Sequence, residues 1–215
     1  MTSRIWTQQP GPVVQWFEAR HGQTPLSNLV MWATWAIEGL HYLDHLDQTQ
    51  AAYPAPIQGH PADVIDIAHV RWATGTAITA LDLCAGALGR FCCGWTKPQE
   101  LDLRDFDPAK KEKEKMAKKQ RAELPSAALA WVDEVLADGR YIDIQDARNP
   151  FTHSWLRRRL SRGGPGGHAE RTQFVVQAHQ PDQPDRVYGA RALVTLARDL
   201  GTSHVDAFVS VVATL

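Results

Sequence analysis

Residues Pro61 to Cys93 read P-A-D-V-I-D-I-A-H-V-R-W-A-T-G-T-A-I-T-A-L-D-L-C-A-G-A-L-G-R-F-C-C. In this run Ile67, Val70, Thr74, Ile78, Leu81 and Leu88 recur at helical spacing and form one apolar stripe. Pro61 near the start and Gly94 just past the end punctuate a helix in the expected order. Gly75, Gly86 and Gly89 lower helix propensity but let a second helix approach closely. A stripe this long needs other helices to cover it, and the chain supplies them. Leu26 to Leu46 carries Leu29, Trp32, Ile37, Leu40 and Leu43 at the same period, and Pro54, Pro56, Gly59 and Pro61 mark the loop between the two helices. Ser126 to Ala137 is a short amphipathic helix, and residues 187–213 form a long one with a strongly apolar face. The expected fold is all-α, a bundle of four to five helices in one domain over 1–215, with 1–24 as an N-terminal extension.

At 215 residues the chain can bury a sizeable core, and 44% hydrophobic with 22% charged residues is ordinary for a globular domain. A net charge of −1 gives no global attraction to nucleic acid or anionic lipid, so such contact needs a local patch. Cys84, Cys92 and Cys93 form no C-x-x-C pair and read as core residues in a reducing cytosol. Met1 to Pro12 has no apolar leader segment, and no run of 18 apolar residues occurs, so a cytoplasmic protein without a membrane span is expected.

Two segments interrupt the helical pattern. Residues 108–121, P-A-K-K-E-K-E-K-M-A-K-K-Q-R, read as a solvated helix face or a mobile connection, or else as a basic strip for an RNA backbone. Residues 161–186 hold the glycine-rich loop Gly163-Gly164-Pro165-Gly166-Gly167 and a strand over 171–178, paired in a small hairpin.

The chemistry-bearing stretch is Arg148-Asn149-Pro150-Phe151-Thr152-His153. Asn149 is a strong N-cap type and Pro150 suits a first helical position, which predicts a helix over 150–160. On that reading His153 sits in the first turn, and the positive helix end favours an anion such as phosphate. Arg148 offers a planar donor fork for phosphate, and His153 a group that titrates near neutrality. Asn149 is a plain cap or orients the scissile phosphate. Two other Arg-to-His spacings, Arg162 to His168 and Arg198 to His204, lie in the glycine-rich loop and on diverging faces of a helix.

The stretch R-N-P-F-T-H-S, after two long helices and a short third, resembles the HEPN superfamily (higher eukaryotes and prokaryotes nucleotide-binding domains). Its hallmark is Arg, a polar residue, a few more residues and His, on a helical bundle. The resemblance implies a HEPN-like bundle, a catalytic pair Arg148 and His153, and a polar companion Asn149. It also implies a homodimer with a composite site, RNA as substrate, and a defence or toxin–antitoxin setting with a cognate antitoxin or effector. Metal-free RNA cleavage needs no cofactor: a base takes the 2′-OH proton, the oxygen attacks phosphorus, and an acid protonates the leaving 5′-oxygen. Trp155, Arg157, Arg158 and Arg162 are candidate RNA contacts, with Arg159 and Arg171 in the same basic stretch. Core packing for Trp155 and solvent exposure for the arginine run are the plainer accounts.

Other constellations are weaker. Asp146 reads as a solvated loop carboxylate rather than a partner of Arg148. His41 and His45 have metal-ligand spacing, but no clear third and fourth ligands accompany them, although His60, Asp63 or His69 could be brought near. Nothing near Ser154 suggests a nucleophilic triad. The competing functional class is a non-catalytic helical dimer that binds a nucleotide or regulates a partner.

Overall fold

The computed structural model describes residues 62–95, 102–110, 114–152, 158–160, 172–176, 185–212 and 214–215. The expected helix at 26–46, the extension 1–24, His41, His45 and the glycine-rich loop lie outside these residues. The described chain is all-α with a small β excursion: α1 (Ala62–Cys92), a 3-10 turn (Leu103–Phe106), α2 (Glu114–Glu123), α3 (Ser126–Ala137), α4 (Gly139–Thr152), strands β1 (Arg158–Leu160), β2 (Thr172–Val176) and β3 (Arg186–Gly189), and α5 (Ala190–Val212).

The apolar stripe of α1 is buried as its spacing predicts. Val70, Thr74, Ile78, Leu81 and Leu88 are inaccessible to solvent, and Ile67 packs at the margin. Thr74 returns its hydroxyl to the Val70 carbonyl at 2.8 Å, so its burial leaves no donor unsatisfied. Gly94, at φ +63°, reverses the chain after α1, and the Trp95 N–H returns to the Gly89 carbonyl at 2.8 Å. Cys84 is buried, Cys92 and Cys93 half-buried, and all three are free thiols.

Helix α5 packs along α1 and also touches α3 and α4. Its buried residues, Leu193, Ala197, Leu200, His204, Val205, Phe208 and Val212, follow one face. Helix α3 packs against it and buries Ala128, Trp131, Val132 and Val135. Trp131 lies against Phe208 with ring centroids 5.0 Å apart and donates its indole N–H to the His204 carbonyl at 2.9 Å.

Several boundaries differ from expectation. The last helix, expected from residue 187, begins at Ala190, because Arg186–Gly189 pairs with β2 as strand β3. The helix expected at 150–160 is instead the end of α4, which begins at Gly139 and stops at Thr152, while Arg158–Leu160 is strand β1. The start is fixed by Asp138. Its carbonyl accepts the Tyr141 N–H at 3.0 Å, and its carboxylate accepts the Arg140 N–H at 2.8 Å. Tyr141, Ile144 and Ala147 then recur on the buried side. That cap and stripe outweigh Asn149-Pro150, which lie in the last turns despite the bond and the fit to the preceding turn that a proline there gives up.

A further difference is α2, in the charged segment. Lys115, Lys118 and Lys119 are exposed, as a solvated helix face requires, but Ala117 and Gln120 are buried. Arg121 ties this helix to α3 through Asp133 at 2.6 Å.

The strand expected at 171–178 is β2, the centre of an antiparallel sheet of order β1-β2-β3. Arg158 pairs with Phe174 on one side of it, and Tyr188 with Phe174 on the other. Phe174 and Val176 are buried, β2 packs on α4, and β3 runs straight into α5. Among the described residues no helix is long and apolar enough to cross a membrane.

Candidate functional site

Arg148 and Asn149 stand half-buried in the last turns of α4. This corrects the N-cap reading: the helix end beside Arg148 is the carboxyl end, whose dipole is negative. The helix therefore supplies no anion-binding amides at Asn149. His153, Trp155, Arg157 and Arg162 lie outside the described residues, and Arg158 is placed only as the first residue of β1.

Three polar clusters surround α4. The first faces Arg148. Asp82 projects from α1 and accepts the Leu103 N–H at 3.0 Å, which ties the 3-10 turn to that helix. Burial pushes the Asp82 carboxyl up to about 7. The Leu103 bond opposes that rise, Asp102 and Asp105 add to it, and the positive charge of Arg148 pulls the other way. Asp105 is 1% exposed, and accepts the Asp102 N–H at 3.1 Å. Tyr141 of α4 is buried in the same place, and burial with the nearby Asp82 and Asp102 charges drives its pKa up. Gln145, one turn on, acts against that rise from beside the hydroxyl.

The second cluster pins the sheet to α4. Arg186 of β3 spans two carboxylates one helical turn apart, bonding Asp143 through Nη1 and Asp146 through Nη2, the latter at 2.8 Å. Tyr188 donates its hydroxyl to the other Asp143 oxygen. Asp146 is thus a buried helical carboxylate, 8% exposed, and not a solvated loop group. The sequence reading missed Arg186 because its partners lie about forty residues upstream.

No protein-family model, curated protein or solved structure matches this chain.

The third cluster closes the α3–α4 corner. His204, 3% exposed, holds Asp138 Oδ2 through Nε2 at 2.8 Å, while its buried Nδ1 has no partner among the described residues. Arg140 grips the same carboxylate through Nε and through Nη2 at 2.7 Å, and its Nη2 also reaches Ser203 Oγ at 3.3 Å. The Asp138 carboxyl, though burial opposes it, is held at about 2 by the bonds from Arg140 and His204. Arg198 turns instead to Asp199 at 2.7 Å, so Arg198 and His204 do not form a pair. The expected consequence is specific. Because its folded pKa lies below the usual 3.8, Asp138 stabilises the fold above about pH 4, and that contribution fades as pH falls through 2. Asp138→Ala should cost about 1–2 kcal/mol in urea denaturation at pH 7, and less at pH 2.5. An equal loss at both pH values would show that the carboxylate charge is not what matters.

Among the described residues no group of three His, Cys, Asp or Glu side chains could hold a metal ion. The site's chemistry is that of a half-exposed guanidinium and amide at a helix end, beside a buried carboxyl that titrates near neutrality.

Proposed function

We propose that this chain is a metal-independent endoribonuclease of the HEPN type, acting as a homodimer with a composite site. The observation that carries the reading is Arg148 with Asn149, partly accessible at the end of α4, with His153 five residues after Arg148 in the sequence. Arg148 binds the phosphoryl oxygens and neutralises the charge that grows on them. Asn149 orients the phosphate. His153 supplies an imidazole, which can protonate the leaving 5′-oxygen. Removal of the 2′-OH proton then falls to a second imidazole, for which His153 of a second copy is the natural source. Trp155, Arg157, Arg158 and Arg162 supply stacking and charge along the RNA. Cytoplasmic defence or toxin–antitoxin work, with a cognate antitoxin or effector as restraint, fits an enzyme of this class.

The second reading is a non-catalytic helical dimer that binds a nucleotide or a regulatory partner. The charge of Arg148 acting on buried Asp82 favours it, because a guanidinium that offsets a buried carboxyl has structural work to do.

Cleavage of RNA by the purified protein in EDTA separates the two. Wild type should yield 2′,3′-cyclic phosphate and 5′-OH ends, with His153→Ala and Arg148→Ala reduced about 100-fold or more. A folded dimer that cuts none of several RNAs would establish the binding module instead.

A further inference from the structure

We propose that Cys92 and Cys93 form a vicinal dithiol that captures a trivalent arsenical, R–As=O, between their two sulphurs. The step is a condensation: both S–H bonds and the As=O bond break, two As–S bonds form, and one water leaves. Arsenic stays trivalent, so no oxidant or reductant enters.

The pair sits where α1 ends. Cys92 is the last residue of the helix, Cys93 follows it, and Gly94 at φ +63° turns the chain away. Both thiols are free and half-buried, so a small reagent reaches them, whereas Cys84, the third cysteine of the chain, is fully buried. Consecutive Cα atoms lie about 3.8 Å apart, which brings both sulphurs within reach of one arsenic atom once the side chains rotate. Cys93 is lightly held. Its thiol donates to the Gln120 carbonyl at 3.5 Å, and an S–H group is a weak donor. Gln120 is 4% exposed, yet neither of its amide atoms has a partner among the described residues. The sulphur can therefore turn from this corner without breaking a bonded network. A buried amide left unbonded is uncommon in a folded protein, and here it offers an unused donor and acceptor to a polar third substituent on arsenic.

The class of ligand follows from how many thiols there are and how they are protonated. A structural zinc ion takes four ligands, and among the described residues no three His, Cys, Asp or Glu side chains could hold a metal ion. A cation also binds thiolate, so each sulphur has to surrender its proton. Burial pushes the Cys93 thiol up to about 11, the neighbouring Cys92 and Glu123 add to the rise, and burial raises Cys92 as well. Both effects oppose a cation. Condensation with an arsenical needs two sulphurs and releases water in place of protons, so raised thiols do not oppose it. Inorganic arsenite, which can take a third sulphur, finds none, because Cys84 lies about 12 Å back along α1.

The test is native mass spectrometry of the full chain with phenylarsine oxide. Wild type should take up one reagent less one water and lose two titratable thiols. The adduct should survive excess mercaptoethanol and come off with dithiothreitol, because a second sulphur on the same molecule acts at high effective concentration. Cys92→Ser and Cys93→Ser should each weaken capture about 100-fold or more, to a level that mercaptoethanol reverses. Cys84→Ala should leave capture unchanged. Circular dichroism checks the fold of each variant, and Cys92→Ala or Cys93→Ala replaces a serine variant that does not fold. A wild-type adduct that mercaptoethanol removes as readily as it does from the single variants overturns the proposal. So does the absence of any adduct on the folded chain, or an adduct that depends on Cys84.

Discussion

Trp131→Ala should lower the unfolding free energy by about 3–5 kcal/mol, a third or more of what a domain of this size commonly has. Trp131 is 2% exposed at the junction of α3 with α5, packed on Phe208, with its indole N–H committed to the His204 carbonyl. Removing the ring opens a cavity between two helices that the chain cannot fill, because α1 already occupies another face of α5. The hydrogen bond is the smaller part of the loss, since the His204 carbonyl lies inside α5 and retains its helical partner. Trp131→Phe separates the two effects: it keeps most of the packing and should cost about 1–2 kcal/mol. Urea titration followed by circular dichroism reads both variants. A loss below about 1 kcal/mol for Trp131→Ala, at unchanged denaturant slope, would mean that this contact does not hold α3 to α5.

Asp82→Asn should act in the opposite direction, by an amount that grows as pH rises from about 4 to 7. A carboxyl whose folded value is raised from 3.8 to about 7 binds its proton more tightly in the native state than in the unfolded chain. Native stability then falls as pH rises from about 4 to 7 and stays low above that. The shift is about three units, which bounds the loss at about 4 kcal/mol; the attraction of Arg148 is already contained in it. Asparagine resembles the protonated acid, so the variant should be more stable than wild type by about 2–4 kcal/mol at pH 8.5 and nearly equal to it at pH 4. Thermal unfolding at the two pH values decides it. A variant destabilised at pH 8.5 would show that the ionised carboxylate is a net support of the fold.

The sequence is legible where a periodic apolar stripe coincides with punctuation. Helix α1 follows from the spacing of Val70, Thr74, Ile78 and Leu81, and α3 from Ala128, Trp131, Val132 and Val135. Strand β2 follows from its β-branched and aromatic residues flanked by polar ones. The motif helix fails because Asn149 and Pro150 carry start signals that are correct in kind but lie too late in the chain. The true start is Asp138-Gly139, a pair that reads as a turn until its side-chain bonds are seen. Three-residue β1 has too few positions to show a period and takes its conformation from pairing with β2. At the candidate site Asp82 was not singled out, because a single charge inside an apolar run also reads as an exposed helix position. Asp138 with His204, and Arg186 with Asp143 and Asp146, join residues far apart in the chain, and local spacing carries no trace of such pairs.

Those long-range pairs bear on how the protein is made. Trp131 waits for His204 and Phe208, Asp138 for His204, and Asp143 for Arg186 and Tyr188, across sequence separations of 43 to 73 residues for the bonded pairs. Translation at 5–20 residues per second leaves the inner faces of α3 and α4 uncovered for about 4–15 s after Trp131 is joined to the nascent chain. During that interval the apolar face of α3 and the carboxylates of α4 are exposed together, on a segment that can be helical but cannot yet close its core. Folding is completed from the carboxyl-terminal side, by the arrival of β3 and α5, which bring the partners of Trp131, Asp138, Asp143 and Asp146.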